Sequence, residues 1–320
     1  MATDASEPVV RAQELRKEYG STVAVDSISF EVRADEILAL LGPNGAGKTV
    51  TVELLQGLRT PTSGGAEVLG LDVRDDPYKI KNRIGVVPQS FQTFERLTVR
   101  EKVSLIRDLH TDPLDVGTVL EQLDLTEYAD DRFHSLSGGY QRRTGIAMAL
   151  VGDPELLFLD EPTTGLDPAA RRATWEQIER LPGLGTAVVL TTHYMEEVEA
   201  LADRVALLVD GRIEAVDTVS ALIDAYAGEV KVVVRLDGTA DATGDAVDLE
   251  SLLAGTARTV YRDETGDLVG VFDDRQAAQE AFSDLHEAGT ERPIDLVSAG
   301  MEDVFLELAG GRLDPAGELR

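Results

Sequence analysis

A formal net charge of −29 on 320 residues, from 59 Asp and Glu against 30 Lys and Arg, would repel any phosphate backbone, so nucleic acid is set aside as the main partner. Cys is absent, which excludes disulfides, thiolate metal sites and Cys nucleophiles, while 43% hydrophobic residues suffice for a substantial core. The length suits one large domain and one smaller one.

So acidic a surface also repels itself at ordinary ionic strength, and molar salt relieves this by shrinking the Debye length to about 3 Å. A halophilic, salt-accumulating cytosol is the expected setting. Residues 1–8 read as a disordered N-terminus, acidic and without the basic and apolar segments of a signal peptide. Apolar runs stay far short of the about 18 residues needed to cross a bilayer, so no membrane span is expected.

From residue 9 to about 220 the pattern repeats strand, loop and helix, which predicts an α/β domain on a largely parallel sheet. Ile37–Leu41 is a continuous apolar run, as a buried central strand requires, and a helix over 49–56 follows, stopped by Gly57. Strand signals vanish over about 91–150 and helical periodicity replaces them, which predicts a helical subdomain inserted into the sheet domain. Strands resume at Leu156–Asp160 and over 187–191, and Asp210-Gly211 between apolar flanks predicts a tight hairpin.

A second domain is expected over 229–309, followed by a tail at 310–320. Its predicted order is a strand over 230–234, a short helix over 249–253, a hairpin around Asp263-Glu264-Thr265-Gly266, a helix over 276–288 and a strand over 294–297. That βαββαβ order is the ferredoxin-like split unit, and a helix over 301–308 closes it.

Three segments carry chemistry. Gly42-Pro43-Asn44-Gly45-Ala46-Gly47-Lys48-Thr49 fits the phosphate-loop pattern between a strand and a helix. Its glycines let backbone N–H groups converge on phosphates, Lys48 can reach the outer phosphates and the Thr49 hydroxyl can ligate Mg²⁺. Leu156–Asp160 delivers Asp160 to a strand end, where it can hold Mg²⁺, with Glu161 next to it to polarise an attacking water. Leu136-Ser137-Gly138-Gly139-Tyr140-Gln141 puts Ser137 at the N-cap of a helix with exposed N–H groups, a second anion site.

In this order the motifs resemble the ATP-binding cassette family over about residues 9–220: phosphate loop, Leu-Ser-Gly-Gly signature, Asp-Glu strand end, Asp loop and His switch. The resemblance implies ATP and Mg²⁺ as cofactors, ATP hydrolysis as the activity, and the phosphate-loop fold with its inserted helices. It implies that Tyr19 stacks on adenine, that Gln89 contacts Mg²⁺ and water and senses a membrane permease, that Asp167 acts across a subunit pair and that His193 contacts the γ-phosphate. Each ATP would lie between one subunit's phosphate loop and Ser137, Gly138 and Gly139 of another; identical subunits are expected, with a heterodimer left open. The partner would be a separate permease, placing the chain peripherally on the cytoplasmic face of the membrane.

Met301-Glu302-Asp303-Val304-Phe305-Leu306-Glu307-Leu308 resembles the C-terminal part of drug-exporter ATPases of the daunorubicin-resistance type, which favours export over an import ATPase. A translation or repair ATPase of the same superfamily would need tandem cassettes, a long coiled coil or a basic surface. A non-hydrolysing clamp fits poorly with Glu161 and His193. Two departures are minor: Asp35 stands where the family often has Gly, and Val50 follows the intact Thr49.

Overall fold

Continuous apolar runs become strands buried on both faces. Every residue of Ile37–Leu41 is buried, as are the first four of Leu156–Asp160 and all of Ala187–Thr192. The computed structural model describes residues 7–90, 95–236, 249–263, 265–288 and 292–309. The expectations for residues 1–6, for 91–94 at the start of the helical segment, for Glu264 and for the 310–320 tail therefore lie outside the described residues. The chain divides into two compact units, Met1–Asp217 and Thr218–Arg320.

In the first unit β1 (Val10–Tyr19) and β2 (Thr22–Val32) form an antiparallel hairpin that leads into β3 (Ile37–Leu41). The turn before β3 holds Asp35 at φ 58°, a left-handed conformation that Asp tolerates better than most residues. Then come α1 (Lys48–Leu55), β4 (Ser63–Val68), β5 (Leu71–Asp72), α2 (Pro77–Lys81) and β6 (Ile84–Val87). Three helices follow, α3 (Val99–Arg107), α4 (Val116–Gln122) and α5 (Gly138–Leu150). The sheet resumes with β7 (Leu156–Asp160), α6 (Pro168–Glu179), β8 (Ala187–Thr192), α7 (Met195–Leu201), β9 (Arg204–Val209) and β10 (Arg212–Thr218).

Strands β10-β9-β3-β8-β7-β6 make one six-stranded sheet, parallel across β9, β3, β8, β7 and β6. Asp210 and Gly211 both take positive φ between β9 and β10, the type I′ geometry expected of that dipeptide. The expectation of one largely parallel sheet misses a second sheet, the antiparallel β2-β1-β4-β5. Register shifts after Ala12, Leu15 and Lys17, with Glu14 at φ 45° and Ser27 at φ 56°, break the period-two alternation that would have announced those strands. The helical segment starts cleanly: Thr98 caps α3 with a reciprocal Glu101 capping box. Its Val99, Val103, Val119, Leu120 and Ile146 share one core with Leu157, Leu159 and Leu190 of the sheet.

The second unit holds α8 (Val219–Leu222), β11 (Val230–Val234), α9 (Leu249–Ala254), β12 (Thr259–Arg262), β13 (Leu268–Phe272), α10 (Arg275–Glu287), β14 (Ile294–Ser298) and α11 (Met301–Ala309). The sheet order β12-β13-β11-β14, antiparallel throughout, is the ferredoxin-like arrangement. Residues from β11 and β13 pack against Ala278, Ala281 and Leu285 of α10. No helix among the described residues is long and apolar enough to cross a membrane.

Candidate active site

Sheet register brings the functional loops to one edge. Leu41 of β3 pairs with Thr192 of β8, and Asp160 of β7 pairs with Thr191, so the phosphate loop, Glu161 and His193 all leave the carboxyl ends of neighbouring strands. Strand β6, beside β7, ends two residues before Gln89.

The phosphate loop is shaped by its glycines. Gly45 and Gly47 have φ of 84° and 101°, and a Cβ on Gly47 would lie 2.3 Å from the Ala24 carbonyl. Lys48 is buried at the first position of α1, and its ammonium donates to the carbonyls of Gly42 (2.6 Å) and Pro43 (3.0 Å). Burial pulls its pKa below the ordinary lysine value, opposed by the charges of Glu161 and Asp160. Thr49, Asn44 and Gly45 are exposed, whereas Gly42, Pro43 and Ala46 are buried.

Glu161 is the hub. Its backbone sits at φ 45°, a region that costs a non-glycine residue about 1–2 kcal/mol. The N–H donates to the carbonyl and hydroxyl of Thr191 at 3.0 and 3.1 Å. Its Oε2 accepts from the Gln89 amide (2.8 Å) and the Thr164 hydroxyl (3.1 Å). Its Oε1 lies 3.2 Å from His193 Nδ1 and 4.0 Å from Lys48 Nζ. The Asp160 carboxylate accepts from the Thr191 hydroxyl, which fixes its orientation at the strand end.

The remaining candidates stand apart from this hub. Ser137 occupies the N-cap of α5, exposed and without a side-chain capping bond; Gly138 beside it is exposed too, and Gly139 is buried. Asp167 caps α6, its Oδ1 accepting from Ala169 N and Ala170 N at 3.0 Å each, so within one chain it acts as a helix cap. Tyr19 ends β1 half-exposed rather than in the core; its hydroxyl accepts from Arg59, and Lys17 and Arg59 lie near its ring.

The family model for the ABC transporter matches residues 25–164. A daunorubicin resistance ATP-binding protein, DrrA3 of Streptomyces coeruleorubidus, is 37% identical over 301 residues, which span 92% of this chain and 93% of that one. The chain belongs to the ATP-binding subunits of ABC transporters. A Nod factor export ATP-binding protein of Rhizobium meliloti strain 1021 is 37% identical across 93% of this chain and 87% of its own. The solved structure of cbiO1 from Clostridium perfringens, part of the ABC transporter complex cbiONQ, superposes with a TM-score of 0.62 at 28% identity, covering 67% of this chain and 89% of that one. The cassette accordingly binds ATP, and ATP hydrolysis is its family's activity.

Three residues that bond the Glu161 cluster of this ABC subunit were not singled out from the sequence. Thr164 and Thr191 look like ordinary loop and strand threonines until Glu161 is seen between them. Arg142 is buried just behind the signature and bonds the loops of Gln89 and Glu161. A cation on a helix face otherwise facing the core was the available signal, because a buried guanidinium has to find acceptors.

Proposed function

We propose that this protein is the ATP-hydrolysing subunit of an exporter, acting as a pair of chains beneath a separate membrane permease. The Glu161 carboxylate, held by Gln89 and Thr164 with His193 and Lys48 beside it, carries the reading, because it is placed to orient a water against a triphosphate in the phosphate loop. Lys48 would trade the Gly42 and Pro43 carbonyls for phosphate oxygens. His193 would face the γ-phosphate and Tyr19 the adenine. Catalysis is then positioning and charge stabilisation, not covalent chemistry.

Thr49, Asp160 and Gln89 offer oxygen donors with a single carboxylate. That set suits Mg²⁺, which takes few protein ligands and completes its shell with phosphate oxygens and water. The ion would neutralise charge on the transferred phosphoryl group.

Ser137, with its hydroxyl free of capping and the α5 N-terminus exposed, supports a second-copy arrangement in which it receives ATP held by the partner's phosphate loop. ATP would favour the closed pair because only that state makes both contacts. Export is supported by relatives named for drug resistance and Nod factor export that match through both units. A groove of about 430 Å³ lined by Leu58, Val86, Pro88, Ile106 and Met148 adjoins Gln89, and a permease segment seated there would be felt at Glu161 through the Gln89 amide. On this reading the subunit would lie peripherally on the cytoplasmic face of the membrane.

Light scattering tests the arrangement. Glu161→Gln should form a dimer with ATP-Mg²⁺, and adding Ser137→Trp should abolish it. A Glu161→Gln chain that stays monomeric at saturating ATP-Mg²⁺ removes the paired mechanism.

A further inference from the structure

Arg142 is only 7% exposed, yet its guanidinium has no carboxylate directly bonded to it among the described contacts. It donates instead to four main-chain carbonyls in two consecutive pairs. Nη1 reaches Pro88 (2.9 Å) and Nη2 reaches Gln89 (3.4 Å), while Nε reaches Pro162 and Nη2 also reaches Glu161 (2.6 Å). One planar fork therefore pins the loop after β6 to the loop after β7. Lysine, with a compact ammonium and no fork, cannot reproduce that span.

The consequence falls on Glu161. Its strained φ of 45° persists because both ends of its peptide environment are held: Thr191 takes the N–H and Arg142 takes the carbonyl. The same guanidinium holds the Gln89 carbonyl, whose side chain grips Glu161 Oε2. Arg142 also rides on α5, the helix that Ser137 caps. At that end α5 is in close contact with the Asp167 segment, since a Cβ on Gly139 would sit 3.0 Å from Ala170 Cβ and one on Gly138 would sit 3.3 Å from Leu166.

We infer that Arg142 is a positioning residue that transmits the state of Ser137 to Glu161 within one subunit, so that ATP engaged at one composite site sets the carboxylate of the other. The positioning of Glu161 stands on the single chain; the transmission between sites rests on the paired reading proposed above. A shift of α5 when Ser137 meets the partner's phosphates moves the guanidinium, and with it four carbonyls flanking the hydrolytic carboxylate.

The test is R142K, assayed for steady-state ATPase and for ATP dependence. We expect kcat to fall about tenfold or more while KM for ATP stays within about twofold, with cooperativity in ATP lost. In the E161Q background R142K should still dimerise with ATP, since neither nucleotide contact has been touched. If E161Q alone fails to dimerise, the paired reading falls and the transmission with it, while the kcat effect still reports on positioning. Where R142K is poorly folded, R142A is assayed with and without millimolar guanidinium, which should restore turnover when methylammonium does not. An R142K enzyme with parental kcat and cooperativity, or an R142A enzyme rescued equally by either cation, overturns the inference.

Discussion

The Gln89 amide donates to Glu161 Oε2 at 2.8 Å, so a side chain at the end of β6 touches the carboxylate that follows β7. Replacing the amide by an acid tests that contact. In Gln89→Glu two carboxylates would share one site, and like charges at that distance keep one proton bound above the usual carboxylate range. A protonated Glu161 cannot accept a proton from water. Turnover should therefore fall about tenfold at pH 7 and recover as pH rises, moving the acid limb of the kcat profile upward. A profile that overlays the parent's would mean the pair is apart during turnover.

Lys48 holds a buried charge whose pKa burial lowers, so the phosphate loop without a nucleotide disfavours the cation proposed to meet the phosphates. Lys48→Met should leave the melting temperature of the nucleotide-free protein unchanged or raised, because desolvation outweighs the attraction of Glu161 and Asp160 at this ammonium and its charged form is a net cost to the fold. ATP-Mg²⁺ should stabilise the parent and not the variant. Thermal melts with and without ATP-Mg²⁺ separate the two; a variant that melts far below the parent without nucleotide contradicts the account.

How much of this was readable beforehand differs from element to element. The central strands were plain because each carries a continuous apolar run, all of Ile37–Leu41 and the first four residues of Leu156–Asp160. The antiparallel sheet was not, since bulges at Glu14 and Ser27 hide its alternation. Motif residues such as Lys48, Glu161 and Ser137 announce themselves by local spacing. Arg142, Thr164 and Thr191 do not, because what gives them meaning is who faces them across 19, 3 and 30 residues of chain.

Lys102 is a further buried cation of the first unit. It lies on α3 at 1% exposure, its ammonium 3.7 Å from the Phe133 ring centre, and burial lowers its pKa to about 8, with Glu95 opposing. Between about 8 and the ordinary 10.5 the unfolded chain holds more protons than the folded one, so this residue makes stability rise with pH across that window. Below it the cost of the buried charge is fully present. The difference in urea midpoint between Lys102→Met and the parent should therefore be largest near pH 7 and shrink towards pH 10.5. A constant difference would show that the ammonium does not titrate there.

With 59 acidic against 30 basic residues, repulsion outweighs the surface ion pairs that salt also screens. Raising KCl from about 0.1 M to about 1 M shortens the Debye length from about 10 Å to about 3 Å. The melting temperature and ATPase rate should both rise over that range. Loss of structure in molar KCl ends the halophilic reading.

The second unit is held at one point by Asp303, on α11. Its Oδ1 accepts from the Tyr261 hydroxyl at 2.8 Å, and its Oδ2 accepts from Gly300 N at 2.9 Å and lies 3.0 Å from Lys231 Nζ. The carboxylate side chain is 2% exposed and the lysine 12%, so water screens the pair weakly. Asp303→Ala leaves a largely buried ammonium and a part-buried phenol without their acceptor, which should cost about 3 kcal/mol in urea unfolding. Pairing Asp303→Leu with Lys231→Met removes both charges and should recover most of that loss. Since the Glu161 cluster lies wholly in the first unit, ATP hydrolysis by the isolated subunit should persist in the double variant. If the double variant is as unstable as the single one, packing of α11 and not the ion pair sets the stability of this unit.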